Sequence, residues 1–350
     1  MNDNLQLNVA LLKRRVPNLT AAAQAIGLRP ATVSNLCTGK VPVGRAEVRT
    51  LTALADLARV SLDELVIRNT VGTLTETGIK VVDLLAPVVR GGTLGVVAHR
   101  GVGQLVLVAE ILYRLRERGF VTVLWNKENP MNSVADVACQ AQHVITTLDT
   151  LCNVAEDNES GANLVIAADR SMVLSGALLS MREQIRTRGL RQPTVILADT
   201  SFQAPDEESP YGPLDTLWRF DTELASRGVL PALNPIASTS ILLEGEQGEA
   251  EHVALQQRVR RVLRRFRELR PLVLAWGVDR LPTVESASFR QGALLEAFLT
   301  QWFYVAEAHS GHPGVSVTLH ETLDGVRRIL DGRLNPETTP ENLKYQGALP

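Results

Sequence analysis

Leu94-Gly-Val-Val-Ala98-His-Arg-Gly101-Val-Gly103-Gln104-Leu105 decides how the middle of this chain is read. It is an apolar run of strand length that ends in a turn holding two glycines. Three more runs of the same kind follow: Val121-Thr-Val-Leu-Trp125, Leu164-Val-Ile-Ala-Ala168 and Val195-Ile-Leu-Ala198. Short apolar strands spaced by helix-length segments predict a mainly parallel sheet covered on both faces. From about residue 250 the pattern turns helical, punctuated by Pro282, Pro313 and Pro336. There Leu255, Val259, Val262, Leu263 and Phe266 recur at helical spacing, as a core-facing stripe does. The other face carries Arg258, Arg260, Arg261, Arg264, Arg265 and Arg267, read as a solvated face, with a contact to the DNA backbone as the alternative.

The segment before residue 68 reads differently, as short helices joined by tight turns with no strand alternation. A polar hinge, Asn69-Thr70-Val71-Gly72-Thr73, separates the two regions. With 350 residues, 45% apolar and 21% charged, the chain has enough material for two or three globular domains. The net charge of −2 is uneven: residues 1–70 hold nine Lys/Arg against five acids, and the remainder holds 27 basic and 33 acidic residues. A basic head on an acidic body suits a polyanionic partner for the head. Three cysteines without ligand spacing fit a reducing compartment, and six histidines form no HxxxH pair, so no metal site is expected. The opening MNDNLQLNVALLKRR lacks the order of a signal peptide, and no apolar run reaches membrane-spanning length, so the expectation is a cytoplasmic protein.

Within the head, residues 17–40 (Pro17-Asn-Leu-Thr-Ala-Ala-Ala23-Gln-Ala-Ile-Gly27-Leu-Arg-Pro30-Ala-Thr-Val33-Ser-Asn-Leu36-Cys-Thr-Gly-Lys40) have helix-turn-helix spacing. Ala23 is small where two helices cross, and Gly27 stands where the turn wants positive φ. Pro30 suits a first helical turn. Val33, Ile26, Leu28 and Leu36 supply the apolar lock. The continuation Ala46-Glu-Val-Arg-Thr-Leu-Thr-Ala-Leu-Ala-Asp-Leu-Ala-Arg-Val60, then Ser61-Leu-Asp-Glu-Leu-Val66, resembles the closing helices of the Cro/phage-repressor (XRE-type) family. That resemblance implies a helix from Pro30 lying in the major groove of double-stranded DNA. Thr32, Ser34 and Asn35 then face base edges and Ala31 meets a thymine methyl, while Arg29, Thr38, Lys40 and Arg45 contact phosphates.

In the body, Glu76-Thr-Gly-Ile-Lys-Val-Val-Asp-Leu-Leu-Ala-Pro87 followed by Gly91-Gly-Thr-Leu-Gly-Val-Val97 resembles the approach to the phosphate loop in the catalytic beta subunit of rotary ATP synthases. Val229-Leu-Pro-Ala-Leu-Asn-Pro-Ile-Ala-Ser-Thr-Ser240 and Phe298-Leu-Thr-Gln-Trp-Phe-Tyr-Val-Ala-Glu-Ala-His-Ser-Gly311 continue the likeness. The resemblance implies an α/β RecA-like P-loop core over residues 75–248. A C-terminal helical domain follows over residues 249–350, and the helix-turn-helix domain of residues 1–68 is joined through a linker at 69–74. A working loop reads GxxxxGK[ST], where Lys neutralises phosphate and the hydroxyl holds Mg²⁺. Gly101 and Gly103 are kept, but Gln104 stands in place of the Lys and Leu105 in place of the hydroxyl, with Arg100 as the nearest substitute cation. By the resemblance Glu128 aligns with the glutamate that orients the attacking water and Asp169 with the metal-holding aspartate. In the base pocket Leu230 replaces a stacking tyrosine, His309 replaces a phenylalanine, and Phe303 remains. Ile241 takes the place of an arginine that acts across subunits.

These residues predict a DNA-associated regulator built on a homo-oligomeric pseudo-ATPase body, with no cofactor expected. ATP and Mg²⁺ enter only if the altered loop still binds nucleotide. Two alternatives stay open: a DNA-associated NTPase using Arg100, Glu128 and Asp169, and an interaction subunit of a rotary-type ATPase.

Overall fold

A computed structural model describes all residues except 1–4, 8, 10–11, 13–14, 17–18, 38–40, 42, 61, 69–72, 127–133, 159–162, 189, 200–212, 245–248 and 350. The chain divides into two compact units, Met1–Gly72 and Thr73–Pro350. In the first, helices Leu19–Ala25, Pro30–Cys37 and Val48–Ala58 are followed by the single turn Leu62–Leu65. Ala23, Val33, Leu36, Leu54 and Ala58 form its buried centre. Gly27 takes φ +83°, and the Leu28 N–H donates to the Ala23 carbonyl at 3.0 Å, so the first helix is closed by the turn that its glycine permits.

Two details depart from the sequence reading. The head is not wholly helical: β1 (Leu5–Leu7) pairs antiparallel with β2 (Val66–Arg68), Leu7 opposite Val66 and Leu5 opposite Arg68. Three residues span only one and a half strand periods, too few for alternation to be read. Ile26, expected in the apolar lock, is instead exposed, while Leu28 packs against the core from its edge.

The second unit opens with a small antiparallel ribbon of β3 (Leu74–Thr75) and β4 (Val88–Val89). Its main sheet contains β5 (Thr93–Val97), β6 (Val121–Trp125), β7 (His143–Ile145), β8 (Leu164–Asp169), β9 (Thr194–Ala198), β10 (Thr216–Arg219) and β11 (Thr239–Ser240), in the order β11-β10-β5-β9-β8-β6-β7. Every neighbouring pair is parallel except β10 with β11. The continuous apolar runs of β8 and β9 are explained by cover on both faces. Val165 and Ala167 point to one apolar cluster with helix Gln104–Glu117. Ile166 and Ala168 point to another, with Met172, Met181 and Ile185 from the helices that follow β8.

Helix Ala250–Trp276 buries Leu255, Val259, Leu263, Phe266 and Leu269, with Val262 at the edge of the same cluster. It pairs with helix Thr283–Phe298, and Gly292 lets the two approach closely, since a Cβ there would overlap the Phe266 side chain. These helices and Leu319–Leu330 share the apolar cluster of the sheet face that carries Leu94 and Ile196. Among the described residues no helix is long and apolar enough to cross a membrane.

Candidate functional site

In the head, the helix Pro30–Cys37 turns Val33 and Leu36 inward, which forces its other positions outward. Ala31, Thr32 and Ser34 are exposed and Asn35 is half-buried. Arg29, exposed, stands just before the helix, and its carbonyl accepts from the Thr32 and Val33 N–H groups at 3.0 and 3.2 Å. Arg45 is exposed at the end of the 3-10 turn Val43–Arg45. The structure thus places small polar side chains together on one helical face, with a cation at its entry. Thr38 and Lys40 lie outside the described residues.

In the body, the chain leaves β5 toward β6 on one side and later leaves β9 to reach β10 on the other flank of β5. Such a reversal opens a crevice at the carboxyl ends of the strands. Residues 98–103 and Asp169 both lie there. Register fixes their separation: Ala198 of β9 faces Val96 of β5 on one side and Asp169 of β8 on the other. Two strand spacings, roughly 10 Å, therefore divide the loop strand from the strand of Asp169.

Gly101 and Gly103 adopt φ +82° and +89°, a left-handed backbone that an L side chain strains to reach. They bend the chain into the first turn of helix Gln104–Glu117, whose free N–H groups and dipole suit an anion. The side chains that should complete such a site do not. Gln104 is buried and uncharged, and Leu105 lies against the main apolar cluster. Leu105 and Asp169 border one cavity, with Trp125, Asn126 and Ala198 also in its wall. Its volume is about 20 Å³, room for about one water molecule. Asp169 is half-buried, and its Oδ1 accepts from the Ser171 N–H at 2.8 Å, which ties it to the start of the next helix. Arg100 is exposed on the loop. Glu128 lies outside the described residues.

Leu230 and the 301–305 segment are brought together, since the Gln301 N–H donates to the Leu230 carbonyl at 2.9 Å. Phe303, however, is fully buried in the main apolar cluster, whereas His309 is exposed on the short helix Glu307–Ser310. A buried network holds this segment in place. Glu110 and Arg114 pair at 2.6 Å, Glu110 accepts from the Tyr304 and Val305 N–H groups at 3.2 and 3.0 Å, and Arg114 donates to the carbonyls of Gly78 and Val315.

Sequence reading passed over four further buried charged positions, Arg170, Asp199, Lys80 and Asp83. Arg170 and Asp199 pair at 3.5 Å at the carboxyl ends of β8 and β9. The available signal was a charge within two residues of the end of each apolar run, the place where α/β sheets carry their sites. Lys80 is fully buried, donates to the Gln346 carbonyl at 2.6 Å and lies 4.5 Å from the Phe298 ring centre. Burial lowers its pKa to about 7. On the same helix, burial raises Asp83 to about 6, although the N–H and hydroxyl of Thr77 and the N–H of Gly78 donate to it.

The arginine face of helix Ala250–Trp276 is partly ion-paired within the chain, while Arg261 and Arg264 are exposed. Arg258 pairs with Asp331, Arg265 with Glu268 and Glu285, Arg267 with Asp221, and Arg270 with Glu223. Arg260 donates to the carbonyls of Leu85 and Ser238. Among the described residues no cluster of three or more His, Cys, Asp or Glu suited to a metal is present. No protein-family model matches the chain.

Proposed function

We propose that this protein is a DNA-associated regulator whose ATP synthase beta-like, RecA-like body is a pseudo-ATPase kept for assembly into homo-oligomers. The observation that carries this reading is the first turn of helix Gln104–Glu117: a buried amide and an apolar side chain stand at a glycine turn otherwise shaped for phosphate. A triphosphate arrives with charge that a cation and a metal must offset. Gln104 is uncharged and Leu105 is apolar, so neither offers such an offset. The exposed Ala31, Thr32 and Ser34, with half-buried Asn35, support a helix that reads base edges, and Arg29 and Arg45 support phosphate contacts beside it. Linked heads on an oligomeric body gain avidity without new contacts.

Two measurements on the full chain test this. Titration with Mg²⁺ and a fluorescent ATP analogue is expected to show no saturable binding and no turnover. Mg²⁺-dependent hydrolysis abolished by Glu128→Gln would overturn the pseudo-ATPase reading. A shift assay across random duplexes is expected to show salt-sensitive binding. Arg29→Ala weakens it on all sequences, and Asn35→Ala costs about 1–3 kcal/mol at one base position. Absence of any DNA affinity at low salt would remove the head from this reading.

A further inference from the structure

We propose that the tip of the helical hairpin at residues 272–284 is the surface through which two copies of this chain associate, each tip seated against the other. This rests on the homo-oligomeric body put forward above and names the face that builds it. Among the described residues of the second unit, eight large apolar side chains are exposed, and five of them crowd this one tip: Leu272, Leu274, Trp276, Val278 and Val284. Leu274 is 75% exposed, Trp276 62% and Val284 77%. Leu272 and Trp276 lie one turn apart on one side of the helix and Leu274 on the opposite side, so the end of this helix is apolar on both sides. Single exposed apolar residues are ordinary, but several gathered at one tip mark an interface. Tryptophan is among the side chains that most often carry the binding energy of an interface.

The charges at the tip select the partner. Asp279 and Arg280 are adjacent, both exposed, and neither has an ion-pair partner among the described residues. The nearby acid Glu285 is already held by Arg265. A polyanion or an acidic partner needs a surface of one sign, and this rim carries one charge of each. A two-fold axis through the tip satisfies both at once, because Asp279 of one copy meets Arg280 of the other and the reverse. The tip is also set in advance. The helix ends at Gly277, φ +84°, whose N–H donates to the Val273 carbonyl at 2.8 Å, and a 3-10 turn at Val278–Arg280 leads to Pro282 and the second helix. Little ordering is left to oppose association.

The test is the mass of the full chain in solution by sedimentation equilibrium. Wild-type protein is expected to be dimeric or larger at micromolar concentration. Leu274→Ser with Trp276→Ser is expected to raise the dissociation constant at least 100-fold with an unchanged far-UV spectrum, since both side chains face solvent in the monomer. Asp279→Arg and Arg280→Asp, each alone, are expected to weaken self-association about 10-fold, and mixing the two variants restores it. A double-serine variant that keeps the wild-type mass overturns the inference and leaves the oligomeric reading standing. A wild-type monomer at 100 µM overturns both, and leaves the tip to a different protein. Tip-dependent dimers with no DNA affinity uphold the inference while the regulatory reading falls.

Discussion

Position 104 shows how far one side chain sets the chemistry of a loop. At about 4 Å from a phosphate oxygen a lysine contributes on the order of 4 kcal/mol in a partly screened site, whereas an amide contributes one neutral hydrogen bond of about 1 kcal/mol. The glycines on either side of Val102 have a left-handed backbone, so the loop has a shape that suits an anion while its side chains offer phosphate little attraction. Gln104→Lys together with Leu105→Thr is therefore expected to create Mg²⁺-ATP binding, tightened about 10–100-fold over the wild type in a fluorescence titration. No gain at all would show that shape, not charge, is what the loop lacks. Lys80 makes a second prediction at this scale. It titrates at about 7 when folded, against 10.5 for a free lysine. Between those values the unfolded chain holds a proton that the folded chain does not. Stability accordingly climbs as pH rises from about 7 to about 10.5, by at most about 1.4 kcal/mol per unit, and stays flat below that window. Asp83, raised from 3.8 to about 6, acts elsewhere: its contribution is full below 3.8 and is lost as pH rises through 6. Urea midpoints at pH 7.5 and 9 should show the rise in wild type and its absence in Lys80→Met. Identical slopes in the two proteins would mean that Lys80 meets water.

At the scale of elements, helix Ala250–Trp276 joins what was legible to what was not. Its apolar stripe could be read from spacing, and Leu255, Val259, Leu263 and Phe266 are buried as expected. Its arginine face could not be read, because apart from Glu268 the acids that pair with it come from elsewhere in the chain or from the next helix: Asp221, Glu223, Glu285 and Asp331. With those pairs made, the face carries less free charge than its composition suggests, with Arg261 and Arg264 still exposed. Gly292 belongs to the same helix pair. Gly292→Ala is expected to force Phe266 and its helix apart and to cost about 1–3 kcal/mol, read as a lower urea midpoint. Should the variant match or exceed wild type, the helices must separate more easily than their packing implies. The head repeats the lesson in reverse: Gly27 and Pro30 announce its turn, but the three-residue strands that pair Leu7 with Val66 leave no readable pattern.

Taken whole, the molecule is two units with separate cores, 72 residues against 278. Unfolding enthalpy scales with residue number, at about 0.7 kcal/mol per residue. Scanning calorimetry is expected to resolve two transitions, the larger with about four times the enthalpy of the smaller. One transition at every pH and salt concentration would show that the units unfold as one. The helices and the Gly27 turn of the head, the strands β5, β6, β8 and β9, and the absence of a charge at 104 and a hydroxyl at 105 could all be read along the chain. Those features depend on local backbone preference and on the chemistry of single side chains, which a linear chain states outright. Folding alone decided that β9 would stand between the loop strand and Asp169, that Arg170 would meet Asp199, that Phe303 would be sealed in the core, and that five apolar side chains would be left bare at one hairpin tip. Each of these depends on which distant residues remove one another from water, and that is fixed only when the chain closes on itself.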